Sequence, residues 1–84
     1  MDSKSYFESG IKKSNEKDFQ GAIEDFTKAN KLENNSPSNM AEIYFRRAVA
    51  YFQISNSEGA TSDLIKAGEL DPQYNNQGLF WNEF

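Results

Sequence analysis

The sequence predicts an all-α fold of two antiparallel helical hairpins stacked in series, and three observations carry that expectation. The chain repeats internally: moved along itself until Tyr6 lies on Tyr44, it also matches at Phe7/Phe45, Gly21/Gly59, Ala22/Ala60, Asp25/Asp63, Lys28/Lys66, Ala29/Ala67 and Leu32/Leu70. Apolar residues recur at the three- and four-residue spacing of a helix with one buried face. Polar clusters at residues 14–18 and 55–57 then divide each copy into two helices. A hairpin of this kind cannot bury its apolar stripe alone, so two copies imply a stacked array, whose usual service is to present a surface.

Each element has a local reason. Asp2 or Ser3 can cap a first helix whose apolar face holds Tyr6, Phe7, Gly10 and Ile11, and which ends near Asn15. Asp18 can cap the next, with Phe19, Ala22, Ile23, Phe26, Ala29 and Leu32 on its buried side and Glu24, Asp25, Lys28 and Lys31 toward water. Glu24 and Lys28 stand four apart in the favourable order for an exposed ion pair. Residues 33–38 form a loop, because Pro37 disfavours a helical Ser36 and suits the first turn of a following helix. The third helix carries Ile43, Tyr44, Phe45, Ala48, Val49, Tyr51 and Phe52, more than one stripe, so it should touch neighbours on several sides. Ser57 can cap a fourth, lined by Ala60, Leu64, Ile65, Ala67 and Leu70 and stopped by Asp71-Pro72. The remaining residues, rich in aromatics, suggest a short further helix. The organisation expected is a single domain, 1–84, with a first repeat at 3–36, a second at 37–72 and a C-terminal capping helix at 73–84.

Composition excludes several classes of function. Cysteine and histidine are both absent, which removes disulfides, thiolate metal sites, the usual general base near neutral pH and the commonest metal ligand. No catalytic constellation and no cofactor motif is present, so no enzyme activity, metal or cofactor is expected. The net charge is −4, with nine basic residues scattered along the chain, so no basic stripe exists to neutralise a nucleic-acid backbone. No run has the roughly 18–20 apolar residues of a membrane span, and nothing signals secretion, which favours a cytoplasmic location and no membrane partner. In 84 residues a single core contributes about 3–5 kcal/mol of net stability, so the chain must pack well or borrow partner surface. Asn34-Asn35-Ser36 has the form of a glycosylation acceptor, but Pro37 follows it directly; as part of Ser36-Pro37, a possible phosphorylation site, Ser36 is equally a capping residue. Glu24, Asp25, Glu58 and Asp63 are expected on the solvated exteriors of the second and fourth helices.

The run Tyr6, Gly10, Phe19, Ala22, Phe26, Ala29, and with it Tyr44, Ala48, Tyr51, Ala60, Leu64, Ala67, Pro72, resembles the tetratricopeptide repeat over roughly residues 3–72. The resemblance implies a short right-handed α-solenoid in which small residues mark close helix crossings and aromatics fill the gap between hairpins. The chain departs from the pattern in a connection four residues longer than the family's, and in Asn34, Lys13 and Ser57, which replace a proline and two aromatics. On the implied concave face stand Lys4, Phe7, Ile11, Ser14 and Asn15 from the first repeat. From the second come Glu42, Phe45, Arg46, Val49, Phe52 and Gln53. The lysine and asparagine clamp with which some members hold a terminal carboxylate is not carried over, since Phe7, Ile11 and Arg46 occupy those positions.

The functional expectation is a protein-binding adaptor. Tyr6, Gly10, Tyr44, Ala48 and Tyr51 already serve helix contacts, so the second apolar stripe, Phe7, Ile11, Phe45, Val49 and Phe52 with Arg46 beside it, needs another cover. That cover is a partner peptide or helix, for which the acidic charge favours a basic segment. It could instead be a second copy of the chain, making the module a homo-oligomerisation device, or the tail residues Leu79, Phe80, Trp81 and Phe84, as an intramolecular cap or a homomeric interface.

Overall fold

A computed structural model describes residues 2–32 and 36–77, and among them every regular element is helical. Helix α1 spans Ser3–Asn15, α2 Phe19–Leu32, α3 Pro37–Gln53 and α4 Ser57–Leu70, followed by a 3₁₀ helix at Pro72–Gln77. They pack in pairs, α1 against α2 and α3 against α4, and the pairs meet chiefly where α3 crosses α2, with a lighter contact between α3 and α1. Leu79, Phe80, Trp81 and Phe84 lie outside the described residues, as does the centre of the loop between the hairpins.

The two hairpin turns are the same turn built from different residues. In the first, Lys17 takes a left-handed φ of 67°, and in the second Ser55 takes 64°. The Asp18 amide donates to the Lys13 carbonyl at 2.8 Å and the Asn56 amide to the Tyr51 carbonyl at 2.9 Å, while Lys17 and Ser55 donate to Ser14 and Phe52, each at 3.0 Å. This double closure satisfies carbonyls that a helix end would leave unpaired. The next residue then caps the following helix: Asp18 Oδ1 accepts from the Gly21 amide at 3.0 Å, and Asn56 Oδ1 from the Gly59 amide at 2.9 Å. Asn56, not Ser57, is therefore the cap of α4, because the left-handed residue at 55 places position 56 in the register that Asp18 holds in the first turn. At the other two starts Asp2 accepts from Ser5 and Ser36 from Asn39, so α3 begins at Pro37 and the loop is shorter than expected.

The core collects where the hairpins meet. Ala22, Phe26, Ala29 and Ile43 form its buried centre, with Tyr6, Phe7 and Ile11 packed against it. Phe26 is 1% exposed, and a Cβ added at Gly10 would lie 2.6 Å from its ring. The glycine is what lets that ring approach the α1 backbone. Two apolar residues expected on buried faces are not: Leu32 is 48% and Ile65 59% exposed. Leu32 is the last residue of α2, and Ile65 lies on an exposed flank of α4 between Leu64 and Lys66.

Both left-handed turn residues carry a Cβ penalty that glycine lacks. Lys17→Gly and Ser55→Gly should therefore each raise the urea midpoint, by the equivalent of up to about 1 kcal/mol. Gly10→Ala should lower it by about 1–2 kcal/mol, since the strain of displacing the Phe26 ring exceeds the gain in helix propensity.

Candidate functional site

Two buried carboxylates position the helices that carry the site. Asp25 and Asp63, expected in solvent, are each 5% exposed and face the preceding helix of their own hairpin. Asp25 accepts from the Ser9 hydroxyl at 2.6 Å and stands 3.0 Å from Lys13 Nζ, so it ties α2 to α1. Asp63 takes both ends of the Arg47 guanidinium, from Nε at 2.6 Å and Nη2 at 2.8 Å, and ties α4 to α3. Arg47 also donates from Nη1 to Thr27 Oγ1 on α2 at 3.0 Å, and its guanidinium lies over the rings of Tyr44 and Tyr51. One side chain thus joins three helices, and its forked geometry suits it to do so. Burial opposes the charge on Asp25, but the Ser9 hydroxyl and the Lys13 ammonium outweigh it and hold the carboxyl below its ordinary value of 3.8. The bond to Asp63 likewise pushes the Arg47 guanidinium above its ordinary range against the cost of burial. Glu24 and Glu58 are exposed, as expected, and Lys28 stands over the Tyr6 ring at 5.5 Å.

So held, α1 and α3 leave a groove with two cavities. The first, of about 250 Å³, is lined by Ser3, Lys4, Phe7, Asn39, Glu42 and Ile43 from the early turns of both helices. The second, of about 80 Å³, is lined by Ile11, Ser14, Asn15, Phe45, Arg46 and Val49 from later turns, with Phe26 of α2 beside them. Between them Arg46 reaches across: its guanidinium lies 5.9 Å from the Phe7 ring centre, and Nη2 stands 3.5 Å from Glu42 Oε2. The groove therefore has an apolar floor, a cationic bar over its middle and amide or hydroxyl groups at its edges.

Of the residues singled out in the sequence, Phe7, Ile11, Phe45, Arg46 and Val49 line these cavities, as do Lys4, Ser14, Asn15 and Glu42. Phe7 and Ile11 do two things at once: each packs on the core, Phe7 at 5.8 Å between ring centres from Phe26, and each lines the groove with what remains. Phe45 is in contact with Tyr74 of the 3₁₀ helix at 5.1 Å, so the chain itself covers part of that stripe. Phe52 is half-buried and lines neither cavity. Ser3, Asn39, Ile43 and Phe26 join the lining without having been read from the sequence. Ile43 has the right type and spacing but was assigned to the core. Among the described residues no group of three or more Asp, Glu, His or Cys could hold a metal ion, and no helix is long and apolar enough to cross a membrane.

The fold and groove define an all-α domain of four stacked helices. No protein-family model, curated protein or solved structure matches the chain.

Arg47→Met should cost about 3–5 kcal/mol in urea unfolding, because it leaves Asp63 buried and unpaired, whereas the double variant Arg47→Met/Asp63→Leu should recover most of that loss. With its folded-state pKa depressed, Asp25 contributes stability that is fully present above 3.8 and is lost as pH falls below that value. Asp25→Asn should therefore flatten the fall in urea midpoint across this acid range, and equal slopes for the variant and the parent would refute the assignment.

Proposed function

We propose that this chain is a protein-interaction module, an adaptor that binds an apolar peptide or helix of a partner protein in the groove between α1 and α3. The observation that carries this reading is the pair of cavities on one groove, floored by the apolar side chains of Phe7, Ile11, Ile43, Phe45 and Val49. Burying a large apolar side chain in such a place contributes about 1.5–3 kcal/mol, so two anchors on either side of Arg46 supply a workable share of a micromolar affinity. The helical-hairpin organisation and the repeated turns support the finer reading of two tetratricopeptide-like repeats forming a short right-handed solenoid, with α1 and α3 on its concave side. In this reading Arg46 and Glu42 bracket the bound backbone, and the domain performs no chemistry of its own.

The test is a displayed-peptide selection on the intact chain, followed by titration of a selected peptide. Val49→Glu places a charge in the smaller cavity on a half-buried helix position and should weaken binding by tenfold or more, or about 1.4 kcal/mol at least, with helicity and urea midpoint little changed. A selected peptide that binds Val49→Glu as tightly as the parent would show that the groove is not the binding site. Light scattering at rising concentration examines the homo-oligomer alternative on the same protein, which requires a dimer that Val49→Glu or Phe52→Glu dissociates.

A further inference from the structure

We infer that the flank of α4 carrying Thr61, Leu64 and Ile65 is a second docking surface, which takes an amphipathic helix of another protein with an apolar seam and a basic residue at its edge. The molecule contains the template for this contact. In repeat register Thr61, Leu64 and Ile65 stand where α2 has Ile23, Phe26 and Thr27. On α2 that flank meets α3: Phe26, which also packs on Gly10 and Phe7 of α1, shares the core with Ile43, and Thr27 accepts from Arg47. The positions that face the helix of the same hairpin are buried in both copies, Ala22 with Ala60, Asp25 with Asp63 and Ala29 with Ala67. The neighbouring flank differs between the copies. Ile23 and Phe26 are 6% and 1% exposed, whereas Thr61 is exposed, Leu64 half-buried and Ile65 59% exposed. The 3₁₀ helix packs on α4 as well and leaves Ile65 uncovered.

The chemistry of the occupant follows from the substitutions. Ile65 in place of Thr27 removes the hydroxyl that receives Arg47 in the first repeat and offers an apolar surface instead. Lys31 lines the α2–α3 seam beside Tyr44 and Arg47, and on α4 its place is taken by the exposed Glu69. A helix laid on α4 as α3 lies on α2 would thus bring an apolar residue onto Leu64 and Ile65, and a cation in the position of Arg47 to Glu69. A second copy stacked head to tail does not meet this requirement. Its α1 presents Ser5 and the exposed Lys12 where α3 presents the buried Ile43 and Ala50, so the seam would be polar.

The probe is a synthetic peptide of residues 36–56, the α3 sequence, which carries Ile43 and Arg47 in the required register, titrated into the full chain. One-to-one binding is expected, weakened about tenfold or more by Ile65→Glu and several-fold by Glu69→Lys, and unchanged by Val49→Glu, which reports on the groove between α1 and α3 alone. Both α4 positions are exposed, and unchanged helicity and urea midpoint verify that the variants remain folded. Binding that ignores both α4 substitutions, or no binding at millimolar peptide, would overturn the inference. So would a concentration-dependent dimer of the chain alone that Ile65→Glu dissociates, since a second copy would then be the occupant. Binding about tenfold tighter in Phe80→Ser/Trp81→Ser would overturn it too, by assigning the surface to the chain's own tail.

Discussion

The register of the second hairpin on the first is defined by Arg47. Its guanidinium is held by two oxygens of Asp63 on α4, by Thr27 on α2 and by the faces of Tyr44 and Tyr51, so the inter-hairpin crossing and the closure of the second hairpin share one charged group. An apolar side chain there would tolerate sliding of α3 along α2, because dispersion contacts are nearly interchangeable from one register to the next. A forked donor with fixed acceptors is not, since every slip leaves a carboxylate or a guanidinium nitrogen unsatisfied in a poorly hydrated place. In a domain whose core contains mostly alanines and a single fully buried phenylalanine, such directional bonds define a register that packing alone would leave loose.

The first hairpin meets the same need with different residues. Asp25 occupies the repeat position of Asp63, but its partners Ser9 and Lys13 stand at the positions of Arg47 and Tyr51. The cation has moved one turn along the helix, and a short hydroxyl fills the place it left. Lys13 remains one-third exposed, and its ammonium reaches Asp25 from the rim, while Arg47 is enclosed between hairpins. Ser9 and Lys13 thus join two helices, where Arg47 joins three.

The hairpins, their order and most of the groove lining were legible in the sequence because they depend on period and turn chemistry, which are local. The departures of Leu32 and Ile65 from burial were not, since a helical stripe reveals which side is apolar and says nothing of how far along it the neighbouring helix reaches. The buried carboxylates are an instructive miss. Asp25 and Asp63 are identical across the repeat at a point where neighbouring surface positions such as Glu24 and Ser62 are not, and each ties the two helices of its hairpin together. Lys13 in an aromatic's place, and Arg47 four residues before Tyr51, were the complementary half of that signal. It was hidden because the cationic partner stands one turn further along in the first copy while the acceptor keeps its place. The turns show the converse: Glu16-Lys17-Asp18 and Ile54-Ser55-Asn56 share no residue, yet they close with the same bonds, because backbone geometry and one amide-accepting side chain are all that the motif demands.

The consequence for the groove is mechanical. Its walls belong to α1 and α3, which touch each other only lightly, so their separation is set indirectly: α1 is fixed to α2 through Asp25, and α2 to α3 through Phe26, Ile43 and the Arg47–Thr27 bond. Each link is directional or buried, which fixes the separation of the groove's walls. A ligand entering such a groove need not order it first, and the free energy of burying its apolar side chains is realised more fully as affinity. Arg46 completes the arrangement. Resting on Phe7 and facing Glu42, it is already oriented and partly desolvated, and in the proposed adaptor reading exchanging its exposed contact with Glu42 for a peptide carbonyl would sacrifice an interaction worth little in water.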